Sequence, residues 1–393
     1  MSQQGYSRRR FLRRTGVAAA GVGGAGVAIG PATAEIEALS DNPWARKRVL
    51  NIAHRGGTFE APENTLFAFK RAFAQGAHAI EFDIWETADG ELVVHHDETV
   101  DRRTDGTGRV TEYTRAELKE LDAAYWHIPG IGTCHPSEEE DHSNDGTCPE
   151  APDEDSYEYR GYATGERDIP DDLGDEYGLD DLAPNDFRIP TVEEILAAFP
   201  DEYLVLEMKA SGFEAKLAAL LDEYGRRDDV IVASFEQTPL SSFRDEAPDV
   251  PTGGSMWETG GFILWACGEL PWPPDLWFEV VPAPLEYAGF DVFSEGIVEG
   301  ARQTNVAAHA WTVNDRDRLL ELVDLGADGI YTDRPTELAD VLEETGEGYD
   351  GEEREDDDGD EDDSGGDGPG FTLPVVAAAI GGTALASRLR DGE

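Results

Sequence analysis

Short apolar runs alternate with amphipathic stretches along most of the chain, and this alternation limits the possible folds more than any other feature of the sequence. The runs VLNIA at 49–53 and YLVLEM at 203–208 are two examples, and a stretch with helical spacing follows each of them. Strands that alternate with helices predict a mostly parallel sheet with the helices outside. About eight such units over roughly 300 residues favour a closed (β/α)8 TIM barrel. The alternative is an open doubly wound sheet, but no glycine-rich dinucleotide-binding turn follows the first strand.

The alternation is less regular in the second half of this region. We predict a strand at 253–257, an irregular apolar segment at 262–278 and a strand at 290–294. Near the first strand, Asn64 is the expected N-cap of a helix that begins around Leu66.

Acidic side chains lie on one face of an early strand with the sequence HAIEFDIW. Successive side chains of a strand point to opposite faces, so we expect Glu81 and Asp83 to lie together. Two carboxylates on an apolar strand are unfavourable to bury unless a cation neutralises them. A later strand repeats the arrangement with Glu207 and Lys209. Three carboxylates supply hard oxygen ligands and favour Mg²⁺ or Ca²⁺, whereas pairing of each acid with a nearby arginine is the structural alternative.

Histidines occur where apolar runs end. His54 and Arg55 follow the first strand, and His96 follows the return strand of a predicted hairpin. In a TIM barrel the carboxyl ends of the strands gather at one face, where active sites form. Imidazole titrates near neutrality, so His54 and His96 are a candidate acid and base for cleavage of a phosphodiester. Arg55 and a bound cation would stabilise charge on the phosphoryl oxygens. We expect His95 to point to the other face, in a packing role or at the rim, and His309 to reach the rim.

The charge balance excludes one class of partner. The chain has 84 Asp and Glu residues against 31 Lys and Arg residues, and its net charge is -53. Such a chain is a poor candidate for binding nucleic-acid backbone, which requires a cationic surface. Disorder is one interpretation of high charge. Because the body of the chain keeps its regular apolar runs, we predict a folded protein with a heavily hydrated acidic surface, as in halophilic proteins.

The region 127–186 is rich in Asp, Glu, Gly and Pro and has no sustained apolar period. We predict a long surface insertion, mostly solvated loop, whose tyrosines could instead form a lid or a partner surface. It contains Cys134 and Cys148, which could pair if the protein is exported. Cys267 lies in the apolar run FILWAC, and we expect a buried thiol there.

The N-terminal segment 1–34 resembles a twin-arginine export signal. Arg8 and Arg9 precede a mild apolar stretch that ends in an Ala-x-Ala cleavage pattern at Ala34. An uncleaved basic anchor is the alternative. A linker is predicted at 35–47.

Beyond the predicted barrel at 48–343, the chain becomes an acidic, disordered stalk at 344–368. The segment 369–393 then combines Pro-Gly-Phe, an apolar stretch and a basic end. It resembles archaeal sorting signals, which an archaeosortase removes and replaces with a lipid anchor, and a plain transmembrane anchor is the alternative. Both interpretations predict a protein outside the cell, tethered at the membrane surface, with export and sorting machinery as partners.

Motifs in a fixed order between residues 49 and 342 resemble those of the glycerophosphodiester phosphodiesterase family. They are His54-Arg55-Gly56 with Pro62-Glu63-Asn64-Thr65, Glu81-x-Asp83, His96-Asp97 followed by Asp101-Arg102, Leu206-Glu207-x-Lys209, Ala310-Trp311-Thr312-Val313-Asn314 and Asp328-Gly329-Ile330-x-Thr332-Asp333-x-Pro335. The set is specific, although the first motif alone would be weak. The long insertion departs from the compact members of the family and resembles exported ones.

This resemblance implies a (β/α)8 barrel that hydrolyses glycerophosphodiesters to glycerol phosphate and an alcohol with one divalent cation, Ca²⁺ or Mg²⁺. It implies three groups of site residues: the acid-base pair His54 and His96, the metal ligands Glu81, Asp83 and Glu207, and the substrate-binding residues Arg55, Lys209 and Trp311. Arg55 and Lys209 would contact the phosphate, and Trp311 would shape the glycerol end. Two alternatives remain, a phospholipase C- or D-like enzyme of the same barrel superfamily acting on intact lipid head groups, and a surface binding protein without catalysis.

Overall fold

The computed structural model of the protein describes residues 42, 44–45, 49–135, 148–149, 152–271, 274, 276–287 and 290–347. Strands and helices alternate along this part of the chain. The strands are β1 (Leu50–Ala53), β2 (Ala79–Glu86), β3 (Leu92–Val94), β4 (His127–Ile128), β5 (Gly132–Thr133), β6 (Tyr203–Met208), β7 (Val230–Ala233), β8 (Val280–Pro284), β9 (Glu286–Tyr287), β10 (Phe290–Asp291), β11 (Ala307–Trp311) and β12 (Gly329–Thr332). The α-helices are α1 (Leu66–Ala74), α2 (Arg115–Leu118), α3 (Asp171–Tyr177), α4 (Val192–Ala198), α5 (Glu214–Glu223), α6 (Gln237–Glu246), α7 (Met256–Ala266), α8 (Glu295–Thr304), α9 (Arg316–Leu325) and α10 (Pro335–Thr345).

Parallel strands form the main sheet in the order β7-β6-β2-β1-β12-β11-β8, and β3 pairs with β2 as the return strand of a hairpin. The two outer strands both contact one short extended segment. Val232 of β7 bridges to Thr252, and Val280 of β8 bridges to Gly253, in both cases in parallel. This segment occupies the position between β7 and β8 and closes the ring. The predicted (β/α)8 barrel fold is therefore confirmed.

Side chains of the strands alternate between the inside of the ring and the surrounding helices. Ala79 of β2 and Val205 of β6 belong to the buried cluster that fills the ring. Ile80 and Phe82 of β2 pack instead in the cluster that includes the helices. Since a strand repeats every two residues, the side chains that follow Ala79 and Val205 by two or four positions also face the interior.

The amino ends of the strands are covered by residues from the predicted linker. Trp44 is fully buried, and its ring centroid lies 5.0 Å from that of Tyr203 and 6.4 Å from that of His309. Asn42 donates a hydrogen bond from Nδ2 to the carbonyl of Glu279, 2.7 Å away and just before β8. The described part of this linker is thus packed beneath the barrel.

The structure differs from the sequence-based assignments in the second half of the barrel. The strand predicted at 253–257 is reduced to the bridging residues, because Ser255 caps α7 and its hydroxyl accepts a hydrogen bond from the amide of Glu258. Helix α7 also covers the start of the segment predicted to be irregular. The barrel strand that follows is β8 and not 290–294, where only β10 pairs, with β9. Pro282 and Pro284 obscured β8, because proline cannot donate a ladder hydrogen bond.

The insertion at 127–186 contributes to the core in its described part. Tyr159 and Tyr162 are buried, with ring centroids 5.2 Å from Phe67 of α1 and 5.3 Å from Phe187, respectively. Leu173 of α3 is buried in the same cluster. The prediction of a solvated loop was therefore wrong for these residues, whose aromatic rings cover the outer face of α1.

The three cysteines fall into two environments. Cys134 and Cys148 form a disulfide with a Cα–Cα distance of 5.6 Å. Cys267 is exposed at the C-cap of α7, so the prediction of a buried thiol was wrong. The apolar run FILWAC is typical of a buried segment, but its last residue, Cys267, lies where helix α7 ends at the surface.

The N-cap of helix α1 lies one residue later than expected. The hydroxyl of Thr65 accepts a hydrogen bond from the amide of Ala68 and caps the helix. Asn64, the predicted cap, has a positive φ of 54° and donates from Nδ2 to Asp83 Oδ2 at 2.9 Å. The N-cap assignment was therefore wrong, and Asn64 is directed towards the acids of β2.

The predicted export signal at 1–34, the C-terminal segment at 369–393 and all but the first four residues of the acidic stalk lie outside the described residues. Helix α10 continues to Thr345, past the predicted start of the stalk at 344. Among the helices of the described part, none is long and apolar enough to span a bilayer.

Candidate active site

The predicted acids lie together at the carboxyl ends of two neighbouring strands. Asp83 of β2 is in register with Glu207 of β6, and Glu81 precedes Asp83 on the same face. One carboxylate oxygen from each of the three residues lies within 4.8 Å of the others. Glu81 and Asp83 are buried, and Glu207 is half-buried. The strands thus bring the three acids into one group, as their spacing predicted.

The charges of the three acids influence one another strongly. Burial and the neighbouring Asp83 raise the pKa of Glu81 to about 8. Burial also raises the pKa of Glu207, although Lys209 opposes this effect. Burial favours the neutral form of Asp83 too, but Lys209 and Arg55 contribute to an opposing effect that holds its pKa well below the usual range. A further cation among the carboxylates would remove the repulsion that keeps a proton on Glu81.

Two cationic side chains already border the acids. Lys209 Nζ lies 2.9 Å from Asp83 Oδ1 and 3.1 Å from Glu207 Oε1. Arg55 donates its backbone amide to Glu81 Oε2 at 3.1 Å, and its Nε lies 3.5 Å from Asp83 Oδ2. Both side chains are therefore within reach of an anion bound over the acids.

The turn after β1 sets the position of His54 and Arg55. Gly57 has a φ of 90°, and a Cβ added there would lie 2.7 Å from Pro335 at the start of α10. Glycine therefore allows the turn to pack against this proline, where a larger residue would clash. The amide of Phe59 donates to the carbonyl of Asp333 and joins the turn to the end of β12.

His54 is oriented by a carboxylate from the last strand. Its Nδ1 lies 2.7 Å from Asp333 Oδ1, and Asp333 Oδ2 accepts a hydrogen bond from Asn314 Nδ2, also at 2.7 Å. Because a carboxylate only accepts, Nδ1 carries the proton, and Nε2 is directed towards the acids, 4.0 Å from Glu81 Oε2. Burial acts to lower the pKa of His54, but Asp333 and Glu81 contribute to the opposite effect and the pKa is raised.

His96 is held in the same way by its neighbour in sequence. His96 Nδ1 lies 2.6 Å from Asp97 Oδ1, so the other ring nitrogen, Nε2, is left for proton transfer. Burial and the cations Arg55 and Lys209 lower the pKa of His96 to about 3. The amide of the preceding residue, His95, donates to the carbonyl of Asp83 at 3.0 Å, which holds this turn beside the acids.

The side chains of three other predicted residues contact groups other than the acids. Trp311 ends β11, and the contact described for its ring is to Phe235, with centroids 5.4 Å apart. His95 is buried, and its Nε2 lies 2.9 Å from the carbonyl of Thr99, which agrees with the packing role expected for it. His309 does not reach the rim. It is fully buried inside the barrel near Trp44, because it lies in the middle of β11 and not at its carboxyl end.

Four further residues of the recognised motifs had no predicted role, namely Asp333, Asn314, Glu63 and Arg102. Asp333 follows β12 directly, so the rule that strand ends gather at one face could have identified it. Arg102 donates to both oxygens of Glu63, a contact that no local pattern predicts because the two residues are 39 positions apart.

Comparisons with known proteins agree with this geometry. Residues 54–337 match the family described as glycerophosphoryl diester phosphodiesterase. The chain is 31% identical over 307 residues to a glycerophosphodiester phosphodiesterase of Caldanaerobacter subterraneus, covering 76% of this chain and 100% of the relative. It is 26% identical over 325 residues to one of Bacillus subtilis, covering 79% of this chain and 91% of the relative.

A solved structure has the same fold. The glycerophosphoryl diester phosphodiesterase domain of a Mycobacterium tuberculosis protein superposes with a TM-score of 0.54 at 19% identity, covering 76% of this chain and 99% of the domain. The family match and the full-length relatives together identify the chain, which belongs to the glycerophosphoryl diester phosphodiesterase family, a family of phosphoric diester hydrolases.

Proposed function

We propose that the protein hydrolyses glycerophosphodiesters to glycerol phosphate and an alcohol, with one divalent cation held by Glu81, Asp83 and Glu207. The observation that carries this proposal is the group of three carboxylates, with ligand atoms within 4.8 Å of one another, next to two histidines that each have a carboxylate on Nδ1. Family membership supports the same reaction.

The donor set suits a hard cation. All three candidate ligands are carboxylate oxygens, which bind Mg²⁺ and Ca²⁺ in preference to softer metals. The raised pKa of Glu81, caused first by burial and then by Asp83, indicates a group of acids that lacks enough positive charge. When bound, the cation would polarise the phosphoryl group and offset its negative charge.

The remaining residues position the diester and move protons. We assign the acid and base roles to Nε2 of His54 and of His96, one removing the proton of the attacking oxygen and the other protonating the leaving alkoxide. Arg55 and Lys209 bind the phosphoryl oxygens. Trp311, at the end of β11, shapes the glycerol side of the cleft.

The proposal is tested by measuring release of the alcohol from a glycerophosphodiester. We expect activity that a chelator abolishes and that added Mg²⁺ or Ca²⁺ restores. His54→Ala and His96→Ala should each lower kcat by about 100-fold or more, while calorimetry still detects metal binding. Glu207→Gln should weaken metal binding itself. Hydrolysis that a chelator does not affect, or full activity of His54→Ala, would contradict the proposal.

We further propose that the protein acts outside the cell, exported through its twin-arginine-like signal and tethered by its C-terminal segment. Both signals are sequence patterns, at 1–34 and at 369–393. The disulfide between Cys134 and Cys148 supports the proposal, because such bonds persist mainly in oxidising compartments. Cell fractionation with an antibody against the barrel tests it, and recovery of the mature protein in the cytosol would contradict it.

A further inference from the structure

One arginine at the edge of the site forms hydrogen bonds through three of its nitrogens. Arg102 donates from Nε to Asp97 Oδ2 at 2.6 Å, and from Nη1 and Nη2 to the two oxygens of Glu63 at 3.0 and 2.6 Å. The guanidinium therefore bridges two carboxylates that come from different loops. The fork on Glu63 has the bidentate geometry that fixes both partners in one orientation.

The Glu63 end of this bridge is shielded from solvent, whereas the side chain of Asp97 is 25% exposed. The side chains of Arg102 and Glu63 are 9% and 1% exposed. Burial would favour the neutral form of Glu63, but Arg102 and Arg55 outweigh it and hold the pKa of this carboxyl far below its usual range. The pKa of Asp97 is also held low despite burial, chiefly by Arg102. The bridge therefore consists of charged partners in a site with little water, where each depends on the others.

Each carboxylate of the bridge also contacts a residue to which we assign a role in hydrolysis. Asp97 uses its other oxygen, Oδ1, to hold His96 Nδ1 at 2.6 Å. Glu63 Oε1, which receives Nη2 of Arg102, also lies 3.6 Å from Nη1 of Arg55. Arg55 follows β1 and His96 follows β3, so one continuous set of contacts joins a phosphate-binding candidate and a proton-transfer candidate from separate loops.

We propose that Glu63 and Arg102 are positioning residues. Together they fix the side chains of Arg55 and His96 relative to each other. Arg102 fixes Asp97, which keeps the proton of His96 on Nδ1 and leaves Nε2 for proton transfer. Glu63 is shared between two guanidinium groups, so Arg102 prevents it from drawing Arg55 away from the phosphate. The kinetic part of this inference rests on the proposed function.

A purely structural role would also make the pair sensitive to substitution, so a matched control is needed. Arg244 and Glu258 provide one, far from the acids in sequence. Arg244 donates from Nη1 and Nη2 to the two oxygens of Glu258 at 2.6 and 3.0 Å, and from Nε to a third residue. Its side chain is 9% exposed, as is that of Arg102. Both arginines thus grip a glutamate with two nitrogens, but Nε of Arg102 binds the carboxylate that holds His96, whereas Nε of Arg244 binds the hydroxyl of Thr252.

The experiment compares Arg102→Met, Arg102→Lys, Glu63→Gln and the double variant Glu63→Gln/Arg102→Met with Arg244→Met, at a temperature at which all are folded. We expect Arg102→Met to lower kcat by about 100-fold or more and Arg244→Met to change it by less than about threefold. Lysine restores the charge but not the fork, so Arg102→Lys should recover only part of the activity. The double variant should be no slower than Arg102→Met, because the two residues act together.

A spectroscopic readout separates positioning from stability. In nitrogen-15 spectra of the histidine rings, His96 should be a single Nδ1–H tautomer in the wild type and in Arg244→Met, and a mixture in Arg102→Met. An unchanged tautomer in Arg102→Met, or a kcat equal to that of Arg244→Met, would overturn the inference. If the wild type hydrolyses no glycerophosphodiester, the proposed function fails, and the tautomer measurement still decides whether Arg102 positions His96. Arg102→Lys and Glu63→Gln keep the test available if Arg102→Met does not fold.

Discussion

His54 and His96 each depend on a carboxylate that fixes the proton on Nδ1. For His54 this carboxylate is Asp333, 2.7 Å away, which is itself held by Asn314. For His96 it is Asp97, 2.6 Å away. The same tautomer leaves Nε2 of each imidazole for proton transfer, while the pKa is raised for His54 and lowered for His96, a difference that suits a paired acid and base.

Replacement of Asp333 by asparagine tests this role. The carboxylate accepts from His54 on one oxygen and from Asn314 on the other, whereas an amide can accept only on one side. We expect Asp333→Asn to lower kcat by about 100-fold or more, because His54 loses its fixed tautomer. Steady-state kinetics measure the effect, and metal affinity by calorimetry is the control, which should stay the same. Activity within about threefold of the wild type would remove Asp333 from the mechanism.

The burial of His309 should make the free energy of unfolding depend on pH. Burial lowers the pKa of His309 to about 3 in the folded protein. In the unfolded chain the pKa is about 6.5, so below that pH the unfolded state binds a proton that the folded state does not. The contribution of His309 is therefore complete above pH 6.5 and is lost as the pH falls towards 3. His309→Asn should reduce the slope of unfolding free energy against pH by up to about 1.4 kcal/mol per unit between pH 6 and 4.

Denaturant unfolding at several pH values measures this slope. The variant also loses packing contacts, but that loss is the same at every pH, so it shifts the curve without changing its slope. Identical slopes for the variant and the wild type would show that His309 does not stay neutral in the folded protein.

The sequence predicted those site residues that follow from a local rule. Glu81 and Asp83 share a face because a strand repeats every two residues, and Glu207 joins them because its strand pairs with theirs. The contact between Arg102 and Glu63 could not be predicted, because it depends on how two loops meet in the folded barrel. Asn64 was assigned as a helix cap from its residue type, and its contact with Asp83 became visible only in the fold.

Among the elements, the β4–β5 hairpin connects the insertion to the edge of the site. Thr133 of β5 lies opposite His127 of β4, and its hydroxyl is 3.5 Å from Glu63 Oε2. The next residue, Cys134, forms the disulfide with Cys148. The covalent bond therefore restrains the chain directly beside a residue that we assign to positioning.

Removal of this disulfide should destabilise the protein. It closes a loop with a sequence separation of 14 residues. Chain-entropy arguments for a loop of this size give about 3 kcal/mol of unfolding free energy. We expect the double variant Cys134→Ser/Cys148→Ser to lose about that amount in denaturant unfolding. A reductant should destabilise the wild type equally and leave the variant unaffected, and a reductant effect on the variant would point to a different cause.

Element boundaries were predictable where periodicity was strong. Strand β6 begins and ends where the apolar run YLVLEM does, at 203 and 208. Strand β8 was missed because its two prolines are typical of loops, and proline is tolerated here at positions where the ladder does not need its amide. The insertion was misjudged because its tyrosines pack against distant aromatic residues, which no local pattern encodes.

For the whole molecule, charge determines the expected response to salt. At a net charge of -53, repulsion among surface carboxylates opposes the folded state. Screening shortens the Debye length from about 10 Å at 0.1 M salt to about 3 Å at 1 M. We therefore expect the unfolding temperature to rise steadily between about 0.1 and 2 M KCl. Calorimetry measures the rise, sucrose at equal osmolality is the control, and an unchanged unfolding temperature would contradict this expectation.

The described chain begins and ends on the same side of the barrel. The amide of Val49, just before β1, donates to the carbonyl of Glu347, just after α10, at 3.0 Å. Asn42 and Trp44 lie beneath the same end, whereas the acids and histidines occupy the opposite one. Attaching the barrel to a bead or electrode at a position close to Val49 or Glu347 would thus point the catalytic opening into the bulk solution. In that orientation we expect dissolved diesters to reach the cleft more readily than head groups embedded in the supporting surface.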